Sequence, residues 1–400
     1  MDNNYKLIRE KTAQATDILD EFDVDLWLTF VRETSLSPDP TLELILGMDM
    51  TWHSAFFLSR SGEHTAIIGH YDAENVRDTG AYERVIGYHE GISKPLRAYL
   101  QETDPQQIAI NYSQGDVAAD GLSHGMYLML QSLLEDTPYA GRLISAERLV
   151  AALRGRKSAE EVARVRRAVR TTEALFDEVE QFVQPGMTQR QIAGFVHGRI
   201  DEMRLGYAWD KPYNPIVTCG PESSIGHAAP GDVALAPGHT LHMDLGVRQN
   251  EYCSDLQRMW YVLEEGESEA PADVQRAFDT VLGAIRAGEA ALKPGTPGWK
   301  VDEAARNYIV NAGYDEYMHG FGHLLGRVAH DGATVLAPRW ERYAGICDLP
   351  VEVGNIFTLE LHVVVPQRGI MSLEEDVLVT KDGVEYLSNP QTELRYIRAP

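Results

Sequence analysis

Asp244 and Asp255 sit on two apolar runs, Leu241–Leu245 and the stretch through Met259-Trp-Tyr261, with Val247-Arg-Gln-Asn-Glu251 between them. A two-residue turn at Gln249-Asn250 would fold these runs into an antiparallel hairpin in which residues 244 and 255 are opposed. Directly opposed residues of such a pair point to one face. The device recurs downstream, where Glu360 in Asn355–Val365 and Glu374 in Ile370–Thr380 flank the turn Pro366-Gln-Arg-Gly369, in a hairpin centred on residue 367. Carboxylates crowded into apolar strands repel one another, and burial raises the cost unless positive charge sits among them. Between the pairs runs His319-Gly-Phe-Gly-His-Leu-Leu-Gly-Arg-Val-Ala-His-Asp331, whose glycines disfavour a helix and suit a backbone in close approach. Two carboxylate pairs and one imidazole form the oxygen-rich set that two hard or borderline divalent cations favour. Such cations, about 3.5–4 Å apart, share a water, lower its pKa and provide hydroxide near neutral pH for attack on a polarised carbonyl.

In chain order, Asp244, Asp255, His323, Glu360 and Glu374 resemble the five metal ligands of the pita-bread metallopeptidases. That family includes methionine aminopeptidase, Xaa-Pro aminopeptidase, prolidase and the metal-free creatinase. His227, His319 and His330 resemble the accessory histidines of its proline-specific branch, and the resemblance runs from about Leu149 to Thr380, more loosely into the N-terminal half. It implies hydrolysis of the bond before proline in Xaa-Pro peptides, with Glu360 both binding metal and shuttling the proton. His227 would border the substrate, and His319 and His330 would steady the scissile carbonyl and the tetrahedral intermediate, with Asp331 able to orient the His330 ring. It also implies two divalent ions per chain, Mn2+ or Co2+ first and Zn2+ or Fe2+ as alternatives, a short peptide as partner, and a homodimer.

The fifth ligand can also be read at Glu375, but aligning Val377–Thr380 with the family's closing strand selects Glu374. His242 and His362 lie two positions from Asp244 and Glu360 and share their faces, which suits either support of the ligands or plain packing. Cys253, two residues before Asp255, reads as packing. Two departures from the family bear on specificity: Leu361-His362 replaces a proline-glycine, and Ser372 stands where an arginine is usual. The missing arginine weakens the case for strict dipeptide specificity, unless Arg327 or Arg368 substitutes. Other chemistry on the same metals, such as a lyase or phosphotriester hydrolase, and a non-catalytic peptide-binding module are the alternative functions.

The elements that must position these groups follow from length and periodicity. A chain of 400 residues suggests two domains with ample core. Residues 1–148 alternate helix and strand and read as a creatinase-like α/β domain: a helix around Leu7–Phe22, strands at Asp25–Phe30, Ala55–Ser59, Thr65–Ile68 and Gln107–Tyr112, and a helix at Leu122–Leu134. His53, His64, His70, His89 and His124 are scattered there and read as surface or core residues. The resemblance implies that residues 149–400 form an α+β pita-bread catalytic domain, and Ser158 with Glu161 reads as a capping box opening a helix that runs to about Val183. Further helices are expected near 188–203, 270–292 and 299–312, and the resemblance implies that they pack outside a curved antiparallel sheet. The net charge of −24 argues against nucleic acid and anionic membranes, which need basic patches. The three cysteines are too few and scattered for a disulfide framework, and no apolar run reaches membrane-spanning length. A cytoplasmic enzyme is the expectation.

Overall fold

A computed structural model describes residues 2–343 and 345–398, with side chains from Tyr5 onward. The chain divides into two compact units, Met1–Arg154 and Gly155–Pro400.

In the first unit, α1 (Asp2–Glu21) leads into β1 (Leu26–Val31), then α2 (Leu42–Ile45), β2 (Ser54–Ser59), β3 (Thr65–Gly69), α3 (Ala73–Thr79) and β4 (Arg84–Tyr88). After them come α4 (Ser93–Thr103), β5 (Ile108–Ile110), α5 (His124–Leu133), β6 (Leu143–Ser145) and α6 (Glu147–Gly155), which ends at the division. The strands form one mixed sheet in the order β4-β3-β2-β1-β5-β6. Alternate residues of β1 feed two separate cores: Trp27 and Val31 join residues of α1, α2, α3 and α6, whereas Leu26, Leu28 and Phe30 join residues of α4 and α5. Helices therefore cover both faces, which is why the central strands are apolar throughout and do not alternate.

The second unit opens with α7 (Ala159–Phe182), where Ser158 and Glu161 form the capping box read from the sequence. It continues with α8 (Gln189–Glu202), β7 (Gly206–Tyr207), β8 (Ile216–Cys219), β9 (Thr240–Leu245), β10 (Val247–Gln249), β11 (Tyr252–Cys253) and β12 (Leu256–Val262). After α9 (Ala272–Ala291) and α10 (Gly298–Asn311) come β13 (Gly322–His323), β14 (Val335–Leu336), β15 (Ile356–Val365), β16 (Gly369–Thr380), β17 (Gly383–Tyr386) and β18 (Arg395–Ile397). The pattern repeats. Pro185-Gly186 joins α7 to α8 and Pro294-Gly295 joins α9 to α10, both glycines at positive φ. The segments after them make matching bridges, Thr188 with Ala234 and Pro297 with Pro350. Each helix pair is followed by one long antiparallel strand pair, and the two pairs merge in a sheet ordered β15-β16-β12-β9-β8.

One face of this sheet rests on helices. Arg258 and Trp260, on β12, lie against Phe176 of α7, and Arg258 also grips both oxygens of Glu375 at 3.1 Å. Glu375 further accepts hydrogen bonds from Ser388 and the Gln391 backbone. Glu375 is thus engaged on the helix face, while its neighbour Glu374 points to the other.

Candidate metal centre

Strand register places the carboxylates. Residues Ile216, Asp244, Gln257, Glu374 and Glu360 pair successively across β8, β9, β12, β16 and β15. Paired residues of antiparallel strands share a face, so one row carries three acids and an amide. The Glu360–Glu374 opposition is as the sequence predicted. The first hairpin differs by one residue. Its turn is Asn250-Glu251, at φ +50° and +68°, and Asp244 opposes Gln257, not Asp255. Moving a two-residue turn by one position shifts the register by two, so the pleat is preserved and Asp255 still shares the Asp244 face. The correction changes direct opposition into a diagonal contact.

His323 arrives from the glycine-rich stretch, which lies along β15: the Glu360 N–H donates to Phe321 O at 2.8 Å and the Leu325 N–H to Ile356 O at 2.9 Å. Gly322 makes this approach possible, since a Cβ there would lie 1.9 Å from Thr358 O. The His323 ring stands edge-on to His330, with centroids 4.2 Å apart. His323 Nδ1 faces Leu324 O at 3.4 Å, so Nδ1 carries the hydrogen and Nε2 the lone pair. That lone pair faces Asp255 Oδ2 at 3.8 Å and Glu360 Oε1 at 3.7 Å. Burial pushes the His323 pKa down to about 3, keeping the ring neutral.

A neutral nitrogen lone pair aimed at two carboxylates is repulsive unless a cation lies between them. The rest of the set agrees. Ligand atoms of Asp255, His323 and Glu374 all lie within 4.8 Å of one another. Asp244 Oδ1 and Glu374 Oε2 are buried without a hydrogen-bond partner. Burial, followed by the neighbouring carboxylates, holds Asp244, Asp255 and Glu374 well above the usual carboxylate range, and burial also raises Glu360. Orphaned acceptors of this kind fit divalent cations, which require deprotonated oxygen donors.

The cavity over this row measures about 380 Å³ and is lined by Asp244, Asp255, His323, Glu360 and Glu374 together with His227 and His330. His227 is exposed in the loop after β8. His319 lies elsewhere than in the lining: Nδ1 meets Gly320 O at 2.7 Å and Nε2 meets His362 Nδ1 at 3.1 Å. Asp331, which the sequence suggested could orient His330, is buried in an ion pair with Lys157 at 2.7 Å. Arg327 pairs with Glu251 and Arg368 with Glu264, so both arginines offered as substitutes are engaged outside the lining. Cys253 is fully buried with its thiol directed at Arg327 O, as packing requires.

Sequence reasoning missed several participants. Trp209, Asp210 and Tyr213 line the cavity mouth from the segment before Pro215. Asp376 accepts from the Asp255 backbone N–H at 3.1 Å and so supports a ligand strand. Gln257 sits inside the carboxylate row. The strand parity that linked Asp255 to Asp244 would have found Gln257 and, through Glu374, Asp376.

Comparison with known proteins accords with this geometry. The chain is 30% identical over 243 residues to an uncharacterized peptidase of Staphylococcus saprophyticus, the match covering 60% of this chain and 65% of the relative. An uncharacterized peptidase of Staphylococcus aureus matches at 29% over 238 residues, covering 59% of this chain and 63% of the relative. The match thus spans just under two thirds of these relatives' length. Among solved structures, an X-Pro aminopeptidase from Thermotoga maritima superposes with a TM-score of 0.71 at 21% identity, covering 96% of this chain and 99% of that one. An Xaa-Pro dipeptidase from Bacillus anthracis gives 0.74 at 22%, covering 98% and 100%. These likenesses establish the pita-bread fold. Residues 163–381 match the model of metallopeptidase family M24, more than half of the chain and all five candidate ligands, and the chain belongs to that family.

Proposed function

We propose that this chain is a metal-dependent exopeptidase that cleaves the bond before proline in short Xaa-Pro peptides. The observation that carries the reading is the ligand set itself, four carboxylates and the neutral Nε2 of His323 converging on one cavity. Asp244, Asp255, His323, Glu360 and Glu374 would hold two divalent ions. When bound, such ions supply Lewis acidity and a water acidic enough to ionise near neutral pH. Mn2+ or Co2+ suits a set of oxygen donors with one imidazole.

The chain's own groups do the rest. Glu360 takes the proton of the attacking water as the new C–O bond forms, and then returns it to the departing amide nitrogen as the tetrahedral adduct collapses and the peptide C–N bond breaks. His330, beside His323 and in the lining, places an imidazole N–H at the developing oxyanion. His227, at the exposed rim, meets the substrate. His319, outside the lining, acts through its hydrogen bond to His362. The lining contains no lysine or arginine among the described residues, so nothing there anchors a carboxylate directly after proline. Tripeptides should therefore be cut at least as well as dipeptides.

A homodimer and a cytoplasmic location belong to the same reading; no described helix is long and apolar enough to cross a membrane. The test is hydrolysis of Ala-Pro, an Ala-Pro-Xaa tripeptide and a Met-Xaa peptide by the metal-loaded protein. Cleavage of the tripeptide before proline is the expected result. Release of methionine in preference, or no hydrolysis of any of the three, would overturn the reading.

A further inference from the structure

Gln257 is the one polar member of the central row that is not a ligand candidate. It lies in β12 between Asp244 and Glu374 and is only 5% exposed. Its amide joins two sets of groups. Nε2 donates to Glu360 Oε2 at 3.2 Å. Oε1 accepts from His242 Nε2 at 2.9 Å and from the Ser372 hydroxyl, whose single hydrogen is shared with Leu361 O at 3.1 Å.

These directions are forced. As a metal ligand Glu360 would be ionised and only accept, so the amide NH2 faces Glu360 and its carbonyl faces the other two. His242 is then the Nε2–H tautomer. His242 and Ser372 are 5% and 4% exposed, so the amide has little water to turn towards. With Oε2 of Glu360 held by Gln257, Oε1 is the oxygen left facing His323 Nε2 at 3.7 Å.

We propose that Gln257, itself held by His242 and Ser372, is a positioning residue that fixes which oxygen of Glu360 faces the metal site and which stays outside it. The assignment rests on the proposed function above. It also explains Ser372, whose hydroxyl is one of two donors that keep a neutral amide turned the right way. An apolar residue at 257 would leave the Glu360 carboxylate free to rotate and both donors unmatched.

The test uses the full chain loaded with Co2+, with Gln257→Met as a near-isosteric change and Ser372→Ala as a milder one. Metal content, melting temperature, the visible absorption of bound Co2+ and peptidase kinetics are read on each. Expected for Gln257→Met are two ions per chain, a shifted cobalt spectrum, and kcat lower by about 10–100-fold with KM within about threefold, the usual range for groups supporting a ligand. Ser372→Ala should move the spectrum and kcat in the same direction by less. Adding it to Gln257→Met should cost nothing further, because both act through one amide. An unchanged cobalt spectrum in Gln257→Met would overturn the assignment. So would multiplicative effects in the double variant, or, if Gln257→Met does not fold, a Ser372→Ala protein with unaltered spectrum and kcat. If the parent chain hydrolyses no peptide, the proposed function fails while the two cobalt spectra still decide the role of Gln257.

Discussion

Stripping the chain of divalent ions should turn its pH stability profile over. The perturbation is exhaustive chelation, followed by thermal unfolding between about pH 4 and pH 9. Asp244, Asp255 and Glu374 are held well above the usual carboxylate range, first by burial and then by one another and by Glu360. Acids whose folded pKa is raised bind protons more readily in the folded state. Their contribution is fully present below the unfolded value near 4 and is lost as pH rises through the folded values, at up to about 1.4 kcal/mol per pH unit per group. The buried histidines act in the opposite sense. Burial lowers His242 and His362 to about 4, so they contribute above about 6.5 and that contribution fades as pH falls towards 4. The metal-free protein should therefore be most stable at mildly acidic pH and weaken towards pH 8–9. Bound cations cancel only the carboxylate part. At 100 times its dissociation constant each ion adds about 2.7 kcal/mol, so two add about 5 kcal/mol. For a unit of this size that is a rise of roughly 10–20 °C in Tm. Differential scanning calorimetry with Mn2+, Co2+ or chelator measures it, and the metal-induced rise should be larger at pH 8 than at pH 6. A metal-free protein that gains stability steadily from pH 5 to pH 9, or a Tm indifferent to metal at pH 8, would refute the account of these carboxylates.

Two further outcomes follow from the site. His330→Ala should keep both metals and the fold yet lose on the order of 10²–10⁴ in kcat, while His227→Ala at the rim raises KM more than it lowers kcat; metal analysis and steady-state kinetics decide. Gly322→Ala, whose new methyl carbon would meet Thr358 O at 1.9 Å, should displace His323 from β15, lowering metal content and Tm together; a variant with full metal content would show that this backbone approach is dispensable.

How much of this was legible in the sequence depends on what each feature obeys. The Glu360–Glu374 pairing could be read because Gln367 and Gly369, at φ +66° and +127°, form a turn that the Pro366-Gly369 spacing announces. The first hairpin slipped by one because Glu251, a residue that seldom takes positive φ, occupies the second turn position at +68°. Side-chain alternation absorbed the slip, so the face of Asp255 was right although its partner was wrong. His323 was legible through Gly322, whose missing side chain marks the contact with β15. The partners of His319, Asp331, Arg327 and Arg368 were not legible, since each lies with a group distant in sequence: His362, Lys157, Glu251 and Glu264. Spacing within one segment carries no signal for such pairings. Trp209 and Tyr213 were hidden for a related reason. They reach the cavity only because the loop before β8 brings them there, and nothing periodic marks that loop.

The most direct measurement is metal content per chain by elemental analysis, paired with hydrolysis of an Xaa-Pro tripeptide, for the parent protein, Asp255→Ala and Glu374→Ala. The account predicts close to two divalent ions in the parent, fewer in both variants, and hydrolysis abolished in each. Full hydrolysis by a protein from which chelation has removed every metal ion, or two ions retained in both variants, would contradict it.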